Sequence, residues 1–571
     1  MTLTIERSGK TTEIHVEAGE RLIEALARAG VNVSAPCGGR CFCGKCLVKV
    51  AGEVSPVIEA ERKFISGEKL EDGWRLACAC HVQGDVRVFV EETLASVLVD
   101  GISGDIELDP PAYAREVLCE KPTLEAPVSD ASRIAAALNI DPDDICGEAL
   151  AMAPEALRGG DTAWCAMFRN SVRGVYGKKP VMLGCAVDIG TTTMAAYLVD
   201  LADGRQLASA SMLNPQKAHG GDVITRANHT MENADGLRQL AALVRGGICD
   251  MIDDMCARAG MSGDDVRHIV LVGNTIMMHL AAELCVKYIA TLPFVPVYTK
   301  ARHVDAAQLD MPYKNATVTL GPCVAGYVGA DTIAAALACG MDRPGENLLL
   351  LDVGTNGEIV LRTDRGLWCC AAAAGPAFEG AHIKCGSGAV TGAIDSVKIS
   401  ADKPEVTTIG GAAPVSICGS GIVSAVSEML KAEIIDETGR LEEDFVLAGD
   451  VVICQKDVRE VQLAKAAIAA GIGVLADAAG IDINDISRLC LAGGFGNYID
   501  HDAACTIGLI PPELEGRIES VGNAAGSGAK MLMMNRDAMD RAEDLRNRMQ
   551  YIELSASTDF QERFADNMLF E

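Results

Sequence analysis

Aromatic residues, basic residues and long uncharged apolar runs are all scarce in this sequence. Phe, Trp and Tyr make up only 4% of the 571 residues, and 50 Lys and Arg face 79 Asp and Glu, for a formal net charge of −29. This charge excludes the broad basic surface that nucleic acids and anionic membranes require, so neither is expected as a partner. No uncharged apolar run reaches about 18 residues, which argues against a membrane-spanning helix.

The N-terminus also lacks the pattern of a secretory signal. Residues 1–10 form a polar, alternating sequence that predicts a β-strand, so we expect a cytoplasmic protein. The most apolar stretch, residues 463–480, contains Lys465 and Asp477 and is predicted to be a buried helix.

Cysteine, in contrast, is abundant. The 22 cysteines of a chain without a secretory signal are expected to be thiols or metal ligands rather than disulfides. Most of them, such as Cys185 and Cys339, lie singly in apolar runs, where a small buried hydrophobic residue is typical. So many oxidisable thiols indicate a reducing, anaerobic cell.

Two strand–turn motifs carry the clearest chemical signal. The sequence DIGTTT at residues 188–193 and the sequence DVGTNGE at residues 352–358 each follow an apolar run. A buried strand that ends in D-x-G-T makes a tight turn whose N–H groups and hydroxyls can face a phosphate, and whose Asp can hold hydrated Mg²⁺. The predicted magnesium and phosphate residues are Asp188, Gly190, Thr191, Thr192, Thr193, Asp352, Gly354, Thr355 and Asn356.

Further glycine-rich and polar segments follow predicted strands or open predicted helices, where backbone can approach a phosphate, ribose or purine. The candidate nucleotide contacts among them are Gly273, Asn274, Gly419, Gly421, Gly493, Gly494, Phe495 and Asn523. Asp222 is a candidate general base or magnesium partner. A helix N-cap is the commoner role for a single Asp in such a position.

The sequence CGGRCFCGKC at residues 37–46, followed by Cys78 and Cys80, has the order of an iron–sulfur site. Glycines let a loop wrap around inorganic sulfur, and four thiolates match a 2Fe–2S cluster. Zinc is the alternative metal, but a zinc ribbon requires a second C-x-x-C and only C-x-C is present. Cys41 can replace Cys43 in this pattern, and Cys80 can replace Cys78.

The length exceeds what one core can organise, and the apolar content of 49% with few aromatics favours a multidomain α/β protein. We predict an iron–sulfur domain over residues 1–92, a linker over residues 93–125, a small α/β middle domain over residues 126–180 and a two-lobed domain over residues 181–571.

Two resemblances follow from these motifs. The hairpin–helix–loop–strand order around the cysteines resembles the plant-type ferredoxin domain, a β-grasp fold, although C-x5-C-x2-C replaces the plant spacing C-x4-C-x2-C. The longer spacing resembles ferredoxin domains fused to activators of corrinoid proteins, and the words CGKC and RLAC match that family. This resemblance implies the ligands Cys37, Cys43, Cys46 and Cys78.

The order of phosphate, connecting and adenosine segments resembles the superfamily of actin, Hsp70 and the acetate and sugar kinases. Longer words, including GNTIMMHL, AAGPAFEG, ICGSGI, AGGFGNYID and GNAAGSGAK, together with the cysteine loop resemble the reductive activators of corrinoid-dependent enzymes over essentially the whole chain.

This resemblance implies an ATPase that returns a corrinoid cobalt from Co(II) to Co(I) by one electron through a 2Fe–2S cluster, in one-carbon metabolism. It implies ATP and Mg²⁺ as ligands, and a corrinoid protein and a low-potential donor, a ferredoxin or flavoprotein, as partners. Asp222 is then the candidate for activating water. An apolar edge of the ferredoxin domain is a candidate homodimer surface.

Two other functions are compatible with the same motifs. One is a small-molecule kinase with a fused redox-sensing ferredoxin domain, and the other is a chaperone-like binding module with a structural cluster. A kinase requires a pocket for a hydroxyl acceptor with a base beside it. No such pocket is identifiable in the sequence, which favours an ATPase.

Overall fold

The computed structural model describes residues 1–570 apart from 8–9, 30, 32, 34–40, 42–43, 45, 91–106, 126, 161 and 401–402. Within this part of the chain, buried apolar side chains form four separate cores. Two small cores lie in residues 1–90 and 112–176, and the two larger ones lie mainly in the rest of the chain, as expected for a chain too long to pack around one centre.

The N-terminal unit is a five-stranded mixed sheet of order β2-β1-β5-β3-β4. Strand β1 pairs antiparallel with β2 and parallel with the central strand β5, and Leu3 and Ile5 point into the core. This topology confirms the predicted ferredoxin-like β-grasp. The elements are β1 Thr2–Arg7, β2 Lys10–His15, α1 Leu22–Arg28, β3 Leu47–Val54, α2 Glu59–Phe64, α3 Gly67–Glu71, β4 Trp74–Leu76 and β5 Val82–Phe89.

A small second unit follows, with two helices on an antiparallel sheet of order β6-β7-β8. The segment 93–125, predicted as a linker, contains β6, which pairs with β7 along its whole length. This part of the segment therefore belongs to the sheet, since its prolines lie outside the strand rather than in it. The elements are β6 Ala112–Leu118, α4 Asp130–Leu138, α5 Gly147–Arg158, β7 Thr162–Phe168 and β8 Ser171–Tyr176.

The third unit, called lobe 1, is built on a six-stranded sheet of order β11-β10-β9-β12-β14-β13. Three antiparallel strands come first, and β12 and β14 then add in parallel on the other side of β9. The elements are β9 Leu183–Ile189, β10 Thr193–Asp200, β11 Gln206–Leu213, α6 Val223–Glu232, α7 Gly236–Ala259, β12 Val266–Gly273, α8 Thr275–Ala281, β13 Arg302–Asp305, β14 Thr317–Leu320 and α9 Ala330–Ala338.

Lobe 2 repeats this plan in a second six-stranded sheet of order β24-β23-β15-β16-β17-β25. Here β15 takes the place of β9, with β16 and β17 antiparallel on one side and β23 and β24 parallel on the other. Its elements are β15 Leu348–Val353, β16 Gly357–Thr363, β17 Gly366–Ala372, β18 Ala393–Ser400, β19 Lys403–Thr408, β20 Ser416–Ile417, α10 Gly419–Lys431, β21 Phe445–Ala448, β22 Val451–Ile453, α11 Gln455–Ala479, β23 Arg488–Ala492, α12 Gly493–Tyr498, α13 His501–Thr506 and β24 Ile518–Gly522.

The last part of the chain ties the two lobes together. Helix α14 (Ala524–Met534) leaves the edge of lobe 2 and packs on α9 of lobe 1, where a Cβ at Gly528 would lie 2.0 Å from the carbonyl oxygen of Ala334. A side chain at Gly528 would separate the two helices. The remaining elements are α15 Arg536–Arg548, β25 Met549–Tyr551 and α16 Thr558–Asp566.

Helix α11 confirms the prediction of a buried helix near residues 463–480. It is long and apolar enough to cross a membrane by length and composition, and 83% of its most apolar window is buried inside the protein. Such burial is typical of a core helix.

A buried ion pair between Glu61 and Arg75 supports the strand that leads to Cys78. The guanidinium donates to both carboxylate oxygens at 2.8 and 2.9 Å, and the amide of Leu76 donates to the same carboxylate at 3.1 Å. Burial by itself would raise the pKa of Glu61, but hydrogen bonds from Arg75, Ile58 and Leu76 more than offset this and lower the pKa. The pair therefore holds α2 against β4.

Arg75→Met is expected to destabilise the N-terminal unit by roughly 3–5 kcal/mol, because it leaves the carboxylate of Glu61 buried without its cation. Hydrogen–deuterium exchange of the full chain should show the loss as reduced protection of amides in β3 and β5. Arg87→Met is the matched control, since the exposed pair of Arg87 with Glu6 contributes about 0–1 kcal/mol. Equal protection in the Arg75→Met and wild-type proteins would contradict this role.

Candidate functional site

The two predicted phosphate turns face each other across a cleft of about 1160 Å³ between the lobes. Asp188 and Asp352 occupy the same position in their strands, next to the last residue of β9 and of β15. The repeated fold therefore brings equivalent carboxylates together. The predicted residues that line the cleft are Asp188, Gly190, Thr191, Thr192, Thr193, Asp222, Asn274, Asp352, Gly354, Thr355, Asn356, Gly419, Gly493, Gly494, Phe495 and Asn523.

Gly273 and Gly421 have a packing role instead of the predicted nucleotide contact, since neither is among the residues that line the cleft. A Cβ at Gly273 would lie 2.7 Å from the carbonyl oxygen of Ile189, and one at Gly421 would lie 2.1 Å from that of Ile394. The two glycines thus allow β12 to approach β9 and α10 to approach β18.

Buried polar side chains fix the turn of lobe 1. Asn214 donates to the carbonyl oxygen of Gly190 at 2.9 Å, and the guanidinium of Arg226 donates to that of Thr191. Asn274 donates to Thr191 Oγ1 at 3.0 Å, so the hydroxyl proton of Thr191 can serve an acceptor in the cleft. Asn214 and Arg226 are fully buried, and the sequence alone did not identify them as site residues.

Four of the carboxyl groups that line the cleft have a raised pKa: Asp188, Asp331, Asp352 and Glu358. Burial raises the pKa of Asp188 to about 7, repulsion from Asp331 and Asp352 adds to this, and a hydrogen bond of 3.1 Å from Asn523 opposes it. Burial and Asp331 likewise raise the pKa of Asp352 to about 7. Burial raises the pKa of Asp331 to about 6 and that of Glu358 well above its usual range.

This carboxylate cluster fits a magnesium ion that arrives with a nucleotide. Among the described residues, no three His, Cys, Asp or Glu side chains form a preformed metal site. Magnesium commonly binds through one or two carboxylates, several waters and the phosphates of its substrate, so a protein cage is not required. Asp331 and Glu358 were not predicted as site residues from the sequence. Glu358 ends the DVGTNGE motif, whereas Asp331 comes from the first turn of α9 and carries no comparable signal.

Asp331→Asn is expected to stabilise the magnesium-free protein more at pH 8 than at pH 5. The pKa values of Asp188 and Asp352 are raised in the folded state, so stability present below the unfolded value of about 4 is lost as pH rises through about 7. Removing the charge of Asp331 relieves this loss. A gain of about 1 kcal/mol in the free energy of unfolding corresponds to a rise of roughly 2–4 °C in the melting midpoint.

Differential scanning calorimetry in EDTA at the two pH values measures this effect. An equal shift at pH 5 and pH 8, or a lower midpoint at pH 8, would contradict the electrostatic explanation.

The end of the cleft beside Asp352 is built from backbone and stacked rings. Phe378 and Phe495 stack with ring centroids 4.7 Å apart and an angle of 14°. Gly493 has a φ of 86°, and a Cβ there would lie 2.6 Å from Asp352 Oδ1, so only glycine suits this turn. Gly494 faces open space. A flat base can therefore lie against backbone at this end.

Glu379 and Asp222 differ from the sequence-based expectation. Glu379, which was not predicted, accepts a hydrogen bond from a threonine hydroxyl of each phosphate turn. Asp222 is the N-cap of α6, and its two carboxylate oxygens accept from the amide and the hydroxyl of Thr225 at 2.8 and 2.6 Å. The geometry therefore favours the capping role for Asp222 over the catalytic one.

Cysteine sulfurs converge in the N-terminal unit. Cys46 Sγ lies 3.2 Å and Cys41 Sγ lies 3.5 Å from Cys78 Sγ. Arg21 donates twice to the carbonyl oxygen of Cys78, which fixes the loop after β4. Converging thiols suit an iron–sulfur cluster, and Cys46 and Cys78 are two of the predicted ligands.

The two other predicted ligands, Cys37 and Cys43, lie outside the described residues. Cys80 is fully buried, and burial raises the pKa of its thiol to about 11, which disfavours a thiolate there.

Cys43→Ser, Cys46→Ser and Cys78→Ser are each expected to abolish the cluster, whereas Cys41→Ser and Cys80→Ala should retain it. Iron content and visible absorption of anaerobically purified protein measure this. ATP hydrolysis by the same preparations should stay near the wild-type rate, because these residues belong to the redox domain. A cluster that persists in Cys43→Ser and disappears in Cys41→Ser would assign the ligand to Cys41.

A duplicated two-lobed fold around paired D-x-G-T turns, joined to a ferredoxin-like domain with converging thiols, defines a nucleotide-dependent redox protein. Family models agree with this class. The 2Fe-2S iron-sulfur cluster binding domain matches residues 5–83, the RACo middle region matches residues 183–344, and the C-terminal domain of RACo, the ASKHA domain, matches residues 346–571. ASKHA denotes the superfamily of acetate and sugar kinases, Hsp70 and actin.

Individual relatives cover the whole chain. The corrinoid activation enzyme RamQ of Eubacterium limosum is 30% identical over 98% of this chain and 97% of its own length. A solved reductive activator for corrinoid, iron-sulfur protein superposes with a TM-score of 0.74 at 30% identity, covering 100% of this chain and 98% of its own. The chain therefore belongs to the family of reductive activators of corrinoid proteins.

A more distant relative is the Co(II) methylated amine-specific corrinoid protein reductase of Methanosarcina barkeri. It is 25% identical over 63% of this chain and 71% of its own length.

Proposed function

We propose that this protein couples ATP hydrolysis to a one-electron reduction of a corrinoid protein, which returns its cobalt from Co(II) to Co(I). The observation that supports this most directly is the wall of the nucleotide cleft. Val33 and Leu47, which flank the cysteine loop, line the same cleft as both phosphate turns. The N-terminal unit of residues 1–90, called the redox head from here on, thus lies against the two lobes and their phosphate turns, called the nucleotide clamp.

The described side chains divide the work of nucleotide binding between the lobes. Thr191 and Thr192 of lobe 1 and Thr355 and Asn356 of lobe 2 contact the phosphates, and Asp188 and Asp352 orient the waters of the metal. Gly493, Gly494 and Phe495 border the adenosine. Magnesium, when bound, supplies positive charge that offsets both the phosphates and the carboxylates.

Lobe 1, lobe 2 and the N-terminal unit all line the cleft, and this shared lining couples nucleotide hydrolysis to the position of the head. A nucleotide that contacts both turns favours a closed arrangement of the lobes, and hydrolysis removes that preference. Because Val33, Leu47 and Val90 of the head line this cleft, closure changes the surface on which the head rests. The cluster held by the head cysteines supplies one-electron transfer.

The partners belong to the same proposal. The corrinoid protein receives the electron, and a low-potential ferredoxin or flavoprotein supplies it. We place the reaction in the cytoplasm of an anaerobic cell. A homodimer formed through the apolar edge of the head is compatible with this function.

The test is ATP-dependent conversion of Co(II) to Co(I) in a purified corrinoid protein, followed by anaerobic absorption spectroscopy. Conversion should require both ATP and Mg²⁺ and should fail with a non-hydrolysable analogue. Cys78→Ser should hydrolyse ATP without reducing cobalt, and Asp352→Asn should do neither.

Two outcomes would overturn this proposal. Cobalt reduction at an equal rate without ATP would remove the coupling. Steady phosphorylation of a sugar or a carboxylate, with no reduction of cobalt, would favour the kinase alternative.

A further inference from the structure

Glu379 connects the two phosphate turns. Thr192 Oγ1 of lobe 1 donates to Glu379 Oε2 at 2.7 Å, and Thr355 Oγ1 of lobe 2 donates to Glu379 Oε1 at 2.9 Å. The two donors come from the two copies of the D-x-G-T turn. One carboxylate therefore accepts a hydrogen bond from each half of the clamp.

Packing holds this carboxylate in position. Glu379 is the last residue of a 3-10 turn, Ala377–Glu379, and Gly380 closes the turn with a φ of 76°. A Cβ at Gly380 would lie 2.4 Å from the backbone nitrogen of Ser387, so this chain crossing admits only glycine. Phe378, the preceding residue, is stacked on Phe495. The side chain thus extends into the cleft from a rigid segment.

Charge around Glu379 suits an anion. Arg226 is fully buried behind the turn of lobe 1 and donates to the carbonyl oxygen of Thr191. Burial lowers the pKa of Arg226 to about 10, and attraction to Asp222 and Glu379 opposes this. Of these two carboxylates, that of Asp222 has both oxygens occupied by Thr225. Within the described part of the chain, Glu379 accepts only from the two hydroxyls that nucleotide phosphates would also use.

We propose that Glu379 is the residue that orients and deprotonates the attacking water during ATP hydrolysis, an inference that rests on the proposed ATPase function. The γ-phosphate and the carboxylate are both acceptors, so the γ-phosphate takes the hydroxyls of Thr192 and Thr355 and leaves Glu379 beside it. A water hydrogen-bonded to Glu379 then lies next to the γ-phosphorus, on the side of the carboxylate.

The chemical step balances without another reactant. The water oxygen forms a bond to the γ-phosphorus, and the bond from the γ-phosphorus to the β–γ bridging oxygen breaks. The electron pair of that bond stays with ADP, and the water proton passes to the carboxylate of Glu379. Release of inorganic phosphate and of this proton lets Glu379 take back the two threonine hydroxyls.

The test compares Glu379→Gln, Glu379→Ala and Glu379→Asp in the full-length protein. Glu379→Gln keeps the shape and one acceptor oxygen but loses the base, so single-turnover hydrolysis of Mg-ATP should fall by about 10²–10⁴-fold. The Kd for a fluorescent ATP analogue should stay equal or decrease in the Gln and Ala variants, because the competing carboxylate is gone. Glu379→Asp should recover part of the rate. Glu442→Gln, which changes an exposed carboxylate, is the matched control.

Two results would overturn the inference. One is hydrolysis at the wild-type rate in Glu379→Gln. The other is loss of ATP-analogue binding in both Glu379→Gln and Glu379→Ala, because a carboxylate that competes with phosphate cannot be required for phosphate binding. A Glu379→Gln protein that still hydrolyses ATP and reduces cobalt would overturn this inference alone. A wild-type protein that hydrolyses ATP but reduces no corrinoid would overturn the proposed function alone.

Discussion

Repulsion among the carboxylates of Asp188, Asp331 and Asp352 is the constraint on which the two-lobed structure depends. Each lobe delivers acidic groups to a shared, desolvated cleft, where burial raises the pKa values of the three side chains and like charges add to this for Asp188 and Asp352. Such a cluster makes closure of the lobes unfavourable unless a cation and its ligands enter with them. In the proposed mechanism, binding of magnesium nucleotide and closure of the lobes therefore favour each other.

The same cleft relates the nucleotide to the redox head. The buried pair of Glu61 and Arg75 fixes the strand before Cys78, and the ends of the cysteine loop reach the cleft through Val33 and Leu47. A movement of the lobes can therefore change the packing contacts of the head directly, without a separate signalling element.

The sequence predicted the elements whose signal is local. A strand that ends in D-x-G-T identifies Asp188 and Asp352, and the spacing of cysteines identifies a cluster domain. Contacts between residues that are distant in the chain were not predicted from the sequence. Glu379 lies far along the chain from Thr192, and only the packing of the two lobes brings them together. Asp331 lies far along the chain from Asp188, and the fold of lobe 1 brings those two carboxyl groups together. For Asp222 the sequence left two roles open, catalysis and helix capping, and its hydrogen bonds to Thr225 favour the cap.

The sequence by itself determined the repeated turns, the ferredoxin-like head and the family, because each depends on neighbouring residues or on words of a few residues. Only the tertiary structure decided which polar groups share the cleft. Gly273 and Gly421, predicted as ligand contacts, lie at packing positions in the structure. Glu379 accepts a hydrogen bond from each phosphate turn. The physical reason is that a hydrogen bond across the cleft depends on the approach of two separately folded lobes, and sequence spacing does not encode that distance.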